Sequence, residues 1–201
     1  MAHVSTVAPP KGYSWMLFVD GENFTIQGQE LAKKKSIALT EGRYYSNNTF
    51  LWIPGFDAHQ RCADGHLPLS PMSIRSIYYT SVVGDLEKME EIRTKLWELK
   101  FQPETFKKQK QKEKAKGVDI SLTKDLMFNA FQGNYDVAVL ITGDGDFVPV
   151  TEEVRRLGKV VYLAFFETIG LSKSLKLACD SFTDMTQRFV DYWQQKRDDL
   201  T

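Results

Sequence analysis

The chain has 201 residues, of which 42% are hydrophobic and 12% aromatic, which excludes wholesale disorder and suits one domain with a real core. Its 26 Lys and Arg balance 26 Asp and Glu, so any attraction to nucleic acid must come from a local patch. Two cysteines exclude a disulfide framework, and no apolar run approaches the roughly 18 residues of a transmembrane helix, so we expect a cytoplasmic protein with no membrane partner.

The first part of the chain contains one clear strand and one helix. Residues 1–13 contain Pro and Gly and predict a flexible leader. An apolar run predicts the first strand over 15–19, and a helix is expected over 22–34, with Asn23 as its cap. The stretch over 36–71 has many Gly and Pro residues, and we expect an insertion there with some β structure.

The rest of the chain alternates strands with helices, which predicts β-α-β units and a parallel sheet. The run over 137–142 is apolar and mostly β-branched, as in a strand buried on both faces. We therefore expect one α/β domain over 14–201. Its further predicted elements are strands over 73–80, 101–106, 137–142 and 160–166, and helices over 85–99, 120–131, 148–157, 172–178 and 185–196.

Acidic residues follow two of the predicted strands and begin one helix. Asp20 ends the first strand, Asp144 and Asp146 follow the strand over 137–142, and Asp119 begins a helical pattern. Ligands of open α/β sheets bind outside the carboxyl ends of the strands, so we expect these four acids to converge there. Each acid taken alone could instead cap a helix or form a turn.

Four carboxylates in one pocket repel each other. Two such charges about 4 Å apart repel by roughly 4 kcal/mol at an effective dielectric constant near 20. Either some of the carboxyl groups bind a proton or a divalent cation neutralises them. Oxygen ligands favour Mg²⁺ or Mn²⁺ over Zn²⁺, and Mg²⁺ completes its shell with water and substrate phosphate. The pattern therefore indicates phosphoryl chemistry.

Three polar residues near the acids have open assignments. Asn23 can position a substrate or a water through its amide, or cap the helix instead. Glu22 can point into the site or away from it. Asp125 lies six residues after Asp119, roughly 240° further round a helix, so we expect it behind the acids or at the surface.

Six lysines occupy residues 107–116, directly before Asp119. A run of this kind can be a solvated loop, or it can bind phosphates in a salt-dependent manner. The predicted nucleic-acid-binding residues are Lys112, Lys114 and Lys116, of which Lys116 is nearest to the acids.

Two further groups could hold a nucleic acid. Tyr78, Tyr79 and the aromatic residues over 44–56 either stack on bases or belong to the core. Residues 172–174 open a helix near a strand end, where backbone amides can bind phosphate.

Three segments together resemble the NYN domain, a branch of the PIN-like nuclease superfamily that includes LabA-like proteins. They are FVDGENF at 18–24, KGVD at 116–119, and VAVLITGDGDFVPVTEEVRRLGKVVYLAFF at 137–166. The likeness runs from about 15 to 184 and is interrupted over 36–71.

The resemblance implies a Rossmann-like three-layer sandwich with a mostly parallel central sheet, which binds Mg²⁺ or Mn²⁺ at its strand ends and cleaves RNA. Matched by position, the metal-site acids are Asp20, Asp119, Asp144 and Asp146, and Asn23 is the polar residue after the first of them.

The leading prediction is therefore a metal-dependent endoribonuclease that acts on single-stranded RNA, with DNA as an open alternative and homo-oligomerisation undecided. The rival is a non-catalytic RNA-binding or adaptor module of the same fold. A phospho-acceptor domain fits poorly, because no Lys ends the strand over 160–166, and no G-x-G-x-x-G motif for a dinucleotide follows a strand. The histidines His3, His59 and His66 lie in irregular segments and are not expected to act in catalysis.

Overall fold

The structure is a computed structural model that describes residues 12–58, 67–109 and 116–198. The strands are β1 (Trp15–Asp20), β2 (Tyr45–Ser46), β3 (Phe50–Leu51), β4 (Arg75–Val83), β5 (Gln102–Lys108), β6 (Val137–Ile141), β7 (Val160–Phe165) and β8 (Ser181–Asp184). The helices are α1 (Gly21–Lys34), α2 (Leu86–Glu98), α3 (Lys116–Phe131), α4 (Val148–Arg156), α5 (Lys173–Ala178) and α6 (Thr186–Asp198), and a short 3₁₀ helix covers Gly145–Phe147.

Six strands form one sheet in the order β5-β4-β1-β6-β7-β8, and each strand runs parallel to its neighbours. From β1 the chain continues into α1 on one face of the sheet, and from β6 it continues into α4 on the other face. The connections thus diverge between β1 and β6. In doubly wound sheets this divergence opens a crevice at the carboxyl ends of the two strands.

Helices cover both faces of the sheet, so the domain has three layers. Phe24 of α1, Ile92 of α2 and Phe189 of α6 pack in one apolar core. Leu122 of α3 and Val154 of α4 pack in the other. Because β6 lies between these cores, all of its residues are buried, as its continuous apolar run predicted. The predicted α/β sandwich with a parallel sheet is confirmed.

The stretch over 36–71 contains the two-stranded antiparallel pair β2-β3, in line with the β structure expected there. The Tyr78 hydroxyl anchors this pair to the sheet, since it donates to the Leu51 carbonyl (2.8 Å) and accepts from the Leu51 N–H (3.1 Å). Tyr78 and Tyr79 are both fully buried, so they belong to the core and do not stack on bases.

The sequence analysis missed β8, a strand of four residues at the edge of the sheet. None of its residues is fully buried, and the segment has no apolar run that would mark it as a strand. Residues 59–66, with His59 and His66, lie outside the described residues, as do His3 and the lysines at 112 and 114. Across the described ranges, the structure contains no helix with the length and hydrophobicity of a membrane span.

Candidate active site at the carboxyl edge of the sheet

Asp20 is the last residue of β1 and lies at the centre of the crevice, with 2% of its surface exposed. One carboxylate oxygen, Oδ1, accepts a hydrogen bond from the Asn23 N–H (3.1 Å). The other, Oδ2, accepts one from the Thr142 hydroxyl (2.8 Å). Helix α1 begins at Gly21, so Asp20 caps it, and the predicted capping role of Asn23 is wrong.

The pKa of Asp20 is raised to about 7, chiefly by burial and in smaller part by the negative charges of Asp119 and Asp144. The hydrogen bonds from Asn23 and Thr142 act in the opposite direction. Burial dominates because a charged carboxylate loses its hydration inside the protein. The three acids are thus electrostatically coupled, and their surroundings favour a proton or another cation at Asp20.

The turn after β6 presents Asp144 and Asp146. The Thr142 oxygen accepts the Asp144 N–H (3.1 Å), and Asp144 Oδ1 accepts the Asp146 N–H (3.0 Å). Asp144 therefore caps the 3₁₀ helix, and Asp146 lies in its first turn with an exposed side chain. The Asn23 side chain joins this turn to α1, because its Oδ1 accepts the Gly143 N–H (2.9 Å).

The acidic turn has no room for a larger residue at Gly143. A Cβ atom there would lie 2.1 Å from the Gly170 carbonyl oxygen and 2.4 Å from the Phe165 ring. The segment that follows β7 closes over the turn, and the Ser172 N–H donates to the Gly143 carbonyl (2.8 Å). The Ser172 hydroxyl caps α5, which has six residues, and it hydrogen-bonds to Ser174 (2.8 Å).

Asp119 reaches the site from the first turn of α3 and is half-buried. Close packing holds the start of this helix, since a Cβ on Gly117 would lie 2.5 Å from the Phe106 ring of β5. Asp125 lies further along α3, where the Tyr79 hydroxyl donates to its Oδ2 (3.0 Å). Tyr79 is the register partner of Asp20, so Asp125 lies behind the acids, in line with one of its two expected positions.

The Glu22 carboxylate turns towards the neighbouring strands. Its Oε2 accepts from the Ser81 hydroxyl of β4 (2.9 Å), and its Oε1 forms an ion pair with the Lys108 ammonium at the end of β5 (2.5 Å). Of the two orientations that the sequence left open, the carboxylate has the one directed away from the acids, towards β4 and β5. Lys116 begins α3, and its side chain is not described.

Sequence reasoning missed Thr142 and the particular position of Lys108. Thr142 is fully buried at the end of β6, and its hydroxyl contacts both halves of the site. A threonine that directly precedes an acidic turn was the available signal. Lys108 appeared in the sequence only as one member of a lysine run.

Within residues 12–58, 67–109 and 116–198, no group of three or more His, Cys, Asp or Glu side chains is arranged to hold a metal ion. The available donors at the crevice are nevertheless carboxylate oxygens, which are the ligands that Mg²⁺ and Mn²⁺ take. The charge coupling at Asp20 also fits a cation at this position. The chemistry of the donors therefore suits the predicted ion.

Comparison with known proteins agrees with this architecture. The family model described as "NYN domain" matches residues 14–186. No curated protein matches the sequence. A crystal structure of a protein of unknown function from Vibrio parahaemolyticus RIMD 2210633 is similar, with a TM-score of 0.61 and 19% sequence identity, over 90% of this chain and 98% of that chain. At this identity the likeness shows the fold alone.

Proposed function

This chain belongs to the NYN domain family, whose members are typically nucleases, and we propose that it is a metal-dependent endoribonuclease. The proposed reaction is hydrolysis of phosphodiester bonds in single-stranded RNA. The proposed metal ligands are Asp20, Asp119, Asp144 and Asp146, with Asn23 as a further residue of the catalytic site.

One observation carries the proposal. Asp20 is buried between the ends of the two central strands, and its pKa is raised by burial and by the charges of Asp119 and Asp144. A fold has no structural need to gather carboxylates that destabilise each other, and such groups cluster at functional sites. The crevice at the switch point of the sheet is also the usual ligand site of this architecture.

The residues of this chain would divide the work as follows. The four acids would hold Mg²⁺ or Mn²⁺, which when bound supplies Lewis-acid chemistry at a phosphate. Thr142 and the backbone N–H of Asn23 orient the Asp20 carboxylate, and the Asn23 amide fixes the acidic turn. Lysines from the run before Asp119, namely Lys112, Lys114 and Lys116, would bind the RNA backbone.

A divalent-ion titration with labelled single-stranded RNA and DNA tests this function. We expect cleavage of RNA that depends on Mg²⁺ or Mn²⁺ and that stops with chelator or in Asp144→Asn. Cleavage that chelator leaves unchanged would contradict the proposal. Equal cleavage of DNA would retain the metal-dependent nuclease and overturn its restriction to RNA.

A non-catalytic RNA-binding module is the second candidate. This candidate is favoured because, among the described residues, no three His, Cys, Asp or Glu side chains are arranged to hold a metal ion. In that case RNA binding survives in Asp20→Asn and Asp144→Asn, and no divalent ion brings about cleavage by the wild-type protein.

A further inference from the structure

We propose that Lys108 is a phosphate-binding residue of this site, where it contacts the backbone of a bound single strand beside the acids. The inference deepens the proposed function and rests on it only in placing nucleic acid at this edge of the sheet. It gives one lysine of the run a defined position and a defined partner, Glu22.

The Lys108 side chain is almost completely buried, with 9% of its surface exposed. A lysine on a protein surface normally keeps its ammonium group in water. An ammonium carries three N–H donors. In the part of the chain that the structure describes, the Lys108 ammonium has one hydrogen-bond acceptor, Glu22 Oε1 at 2.5 Å. Among the described residues, its other two N–H donors have no protein acceptor, and phosphate oxygens match them in charge and in hydrogen bonding.

Glu22 holds this ammonium in place. Its own side chain is 20% exposed, and both of its oxygens are engaged, one by Lys108 and one by the Ser81 hydroxyl. Glu22 belongs to the first turn of α1, two residues after Asp20. Glu22 thus joins the helix that begins at the acids to β5 through the ion pair and to β4 through the hydrogen bond from Ser81.

The strand register places Lys108 on a wall beside the acids. Asp20 pairs with Tyr79, whereas Lys108 pairs with Val83, four residues further along β4. At about 3.3 Å per residue, β4 and β5 extend roughly 13 Å beyond the level of Asp20. A strand of nucleic acid that lies in the crevice meets this wall.

Lys108 also lies on the side of the sheet from which Asp119 approaches. Side chains alternate along a strand, so Lys108 shares a face with Phe106. The Phe106 ring packs against Gly117, two residues before Asp119. The Lys108 side chain therefore leaves β5 on the face that α3 covers, and its ammonium reaches Glu22 at the start of α1.

The test measures binding of a labelled oligouridylate by fluorescence anisotropy. The measurement is repeated over a series of KCl concentrations in the presence of chelator. Loss of one phosphate contact by single-stranded RNA decreases the magnitude of the negative slope of log K against log salt by about 0.7. We expect this decrease, together with weaker binding, in Lys108→Gln, and wild-type behaviour in Lys108→Arg. An affinity and slope in Lys108→Gln equal to those of the wild type would overturn the proposal.

Lys95→Gln is the matched control. Lys95 also pairs with a glutamate, Glu91 at 2.6 Å, but it lies on the outer helix α2 and is 27% exposed. We expect its affinity and salt slope to equal those of the wild type. A decrease as large as that of Lys108→Gln would show that any lysine contributes equally, which also overturns the proposal.

Glu22→Gln separates phosphate binding from a structural ion pair, and it decides alone if Lys108→Gln does not fold. This substitution leaves the ammonium in place without its counter-charge, so we expect tighter binding of RNA. Unchanged or weaker binding in a variant that melts cooperatively would mean that the pair serves folding only. Because chelator is present throughout, these results are independent of whether the protein cleaves RNA, which the divalent-ion titration decides separately.

Discussion

The Thr142 hydroxyl donates a hydrogen bond to Asp20 Oδ2 over 2.8 Å and so connects the ends of the two central strands. The same oxygen accepts the Asp144 N–H at 3.1 Å. A single buried hydroxyl therefore orients one acid through its side chain and another through its backbone. The position of Asp144 relative to Asp20 depends on this residue.

Thr142→Val should disturb the site at nearly constant volume. The substitution removes a donor to a buried carboxylate and leaves the Asp144 N–H without its acceptor, which costs about 1–3 kcal/mol of unfolding free energy. It should also raise the pKa of Asp20 further, since the hydrogen bond from Thr142 lowers it. Urea denaturation measures the first effect. Thr142→Ser keeps the hydroxyl and is the control; equal stability of the two variants would contradict this assignment.

Asp20→Asn and Asp144→Asn should each abolish metal-dependent cleavage. Loss of a preorganised electrostatic group at an active site typically lowers kcat by about 100- to 1000-fold, and we expect at least this effect. Asp191→Asn is the control, because Asp191 is exposed on α6 and hydrogen-bonds to Gln187 (2.7 Å). Initial rates on labelled RNA at saturating Mn²⁺ provide the measurement. Equal rates in Asp144→Asn and Asp191→Asn would exclude Asp144 from catalysis.

The raised pKa of Asp20 predicts that stability decreases as the pH rises. The folded protein holds this proton up to a pKa of about 7, whereas the unfolded chain releases it near the ordinary value of 3.8. The stabilising contribution is therefore complete below about pH 4 and is lost as the pH rises to 7. Between these two pH values, the unfolding free energy decreases by about 1.4 kcal/mol per pH unit.

The control for this pH dependence is Asp20→Asn, which has no proton to lose at this position. Unfolding free energies in chelator at pH 5, 6, 7 and 8 should show a downward contribution in the wild type that the variant lacks. The difference between the two proteins isolates Asp20 from the other acids. Parallel curves would contradict a raised pKa.

Divalent ions should stabilise the folded protein at pH 8, where Asp20 is charged. A ligand at about a hundred times its Kd adds about 2.7 kcal/mol to the unfolding free energy when it binds only the folded state. Melting temperatures measured against Mg²⁺ and Mn²⁺ should rise in the wild type and stay constant in Asp20→Asn. An equal rise in both proteins would place the ion elsewhere. This measurement requires no catalytic activity.

Gly143→Ala should displace the acidic turn. The new methyl group would overlap the Gly170 carbonyl, which is backbone, and the fully buried Phe165 ring, and overpacking of this kind costs about 1–3 kcal/mol. Gly145→Ala is the control, since its nearest neighbour is the Ser172 hydroxyl at 2.8 Å, the end of a small side chain. We expect cleavage and stability to decrease much more in Gly143→Ala. Similar losses in both would refute a tight fit at Gly143.

The sequence by itself determined the succession of strands and helices and the acids at their ends. The elements β6 and α2 can be recognised from local patterns. A strand buried on both faces has a continuous apolar run, whereas a helix buried on one face has apolar residues three and four positions apart. The acids at 20 and 144 could be placed at one edge because parallel strands point the same way. The edge strand β8, which lacks such a pattern, could not be found in this way.

Only the tertiary structure decided how the side chains meet in the crevice. Thr142 and Asp20 are 122 residues apart, and Lys108 and Glu22 are 86 apart. Such contacts depend on the order and register of the strands, which no local pattern specifies. The choice of Asp20 as helix cap and the direction of the Glu22 carboxylate follow from this packing, because a side chain's partner is whichever group the fold brings within hydrogen-bonding distance.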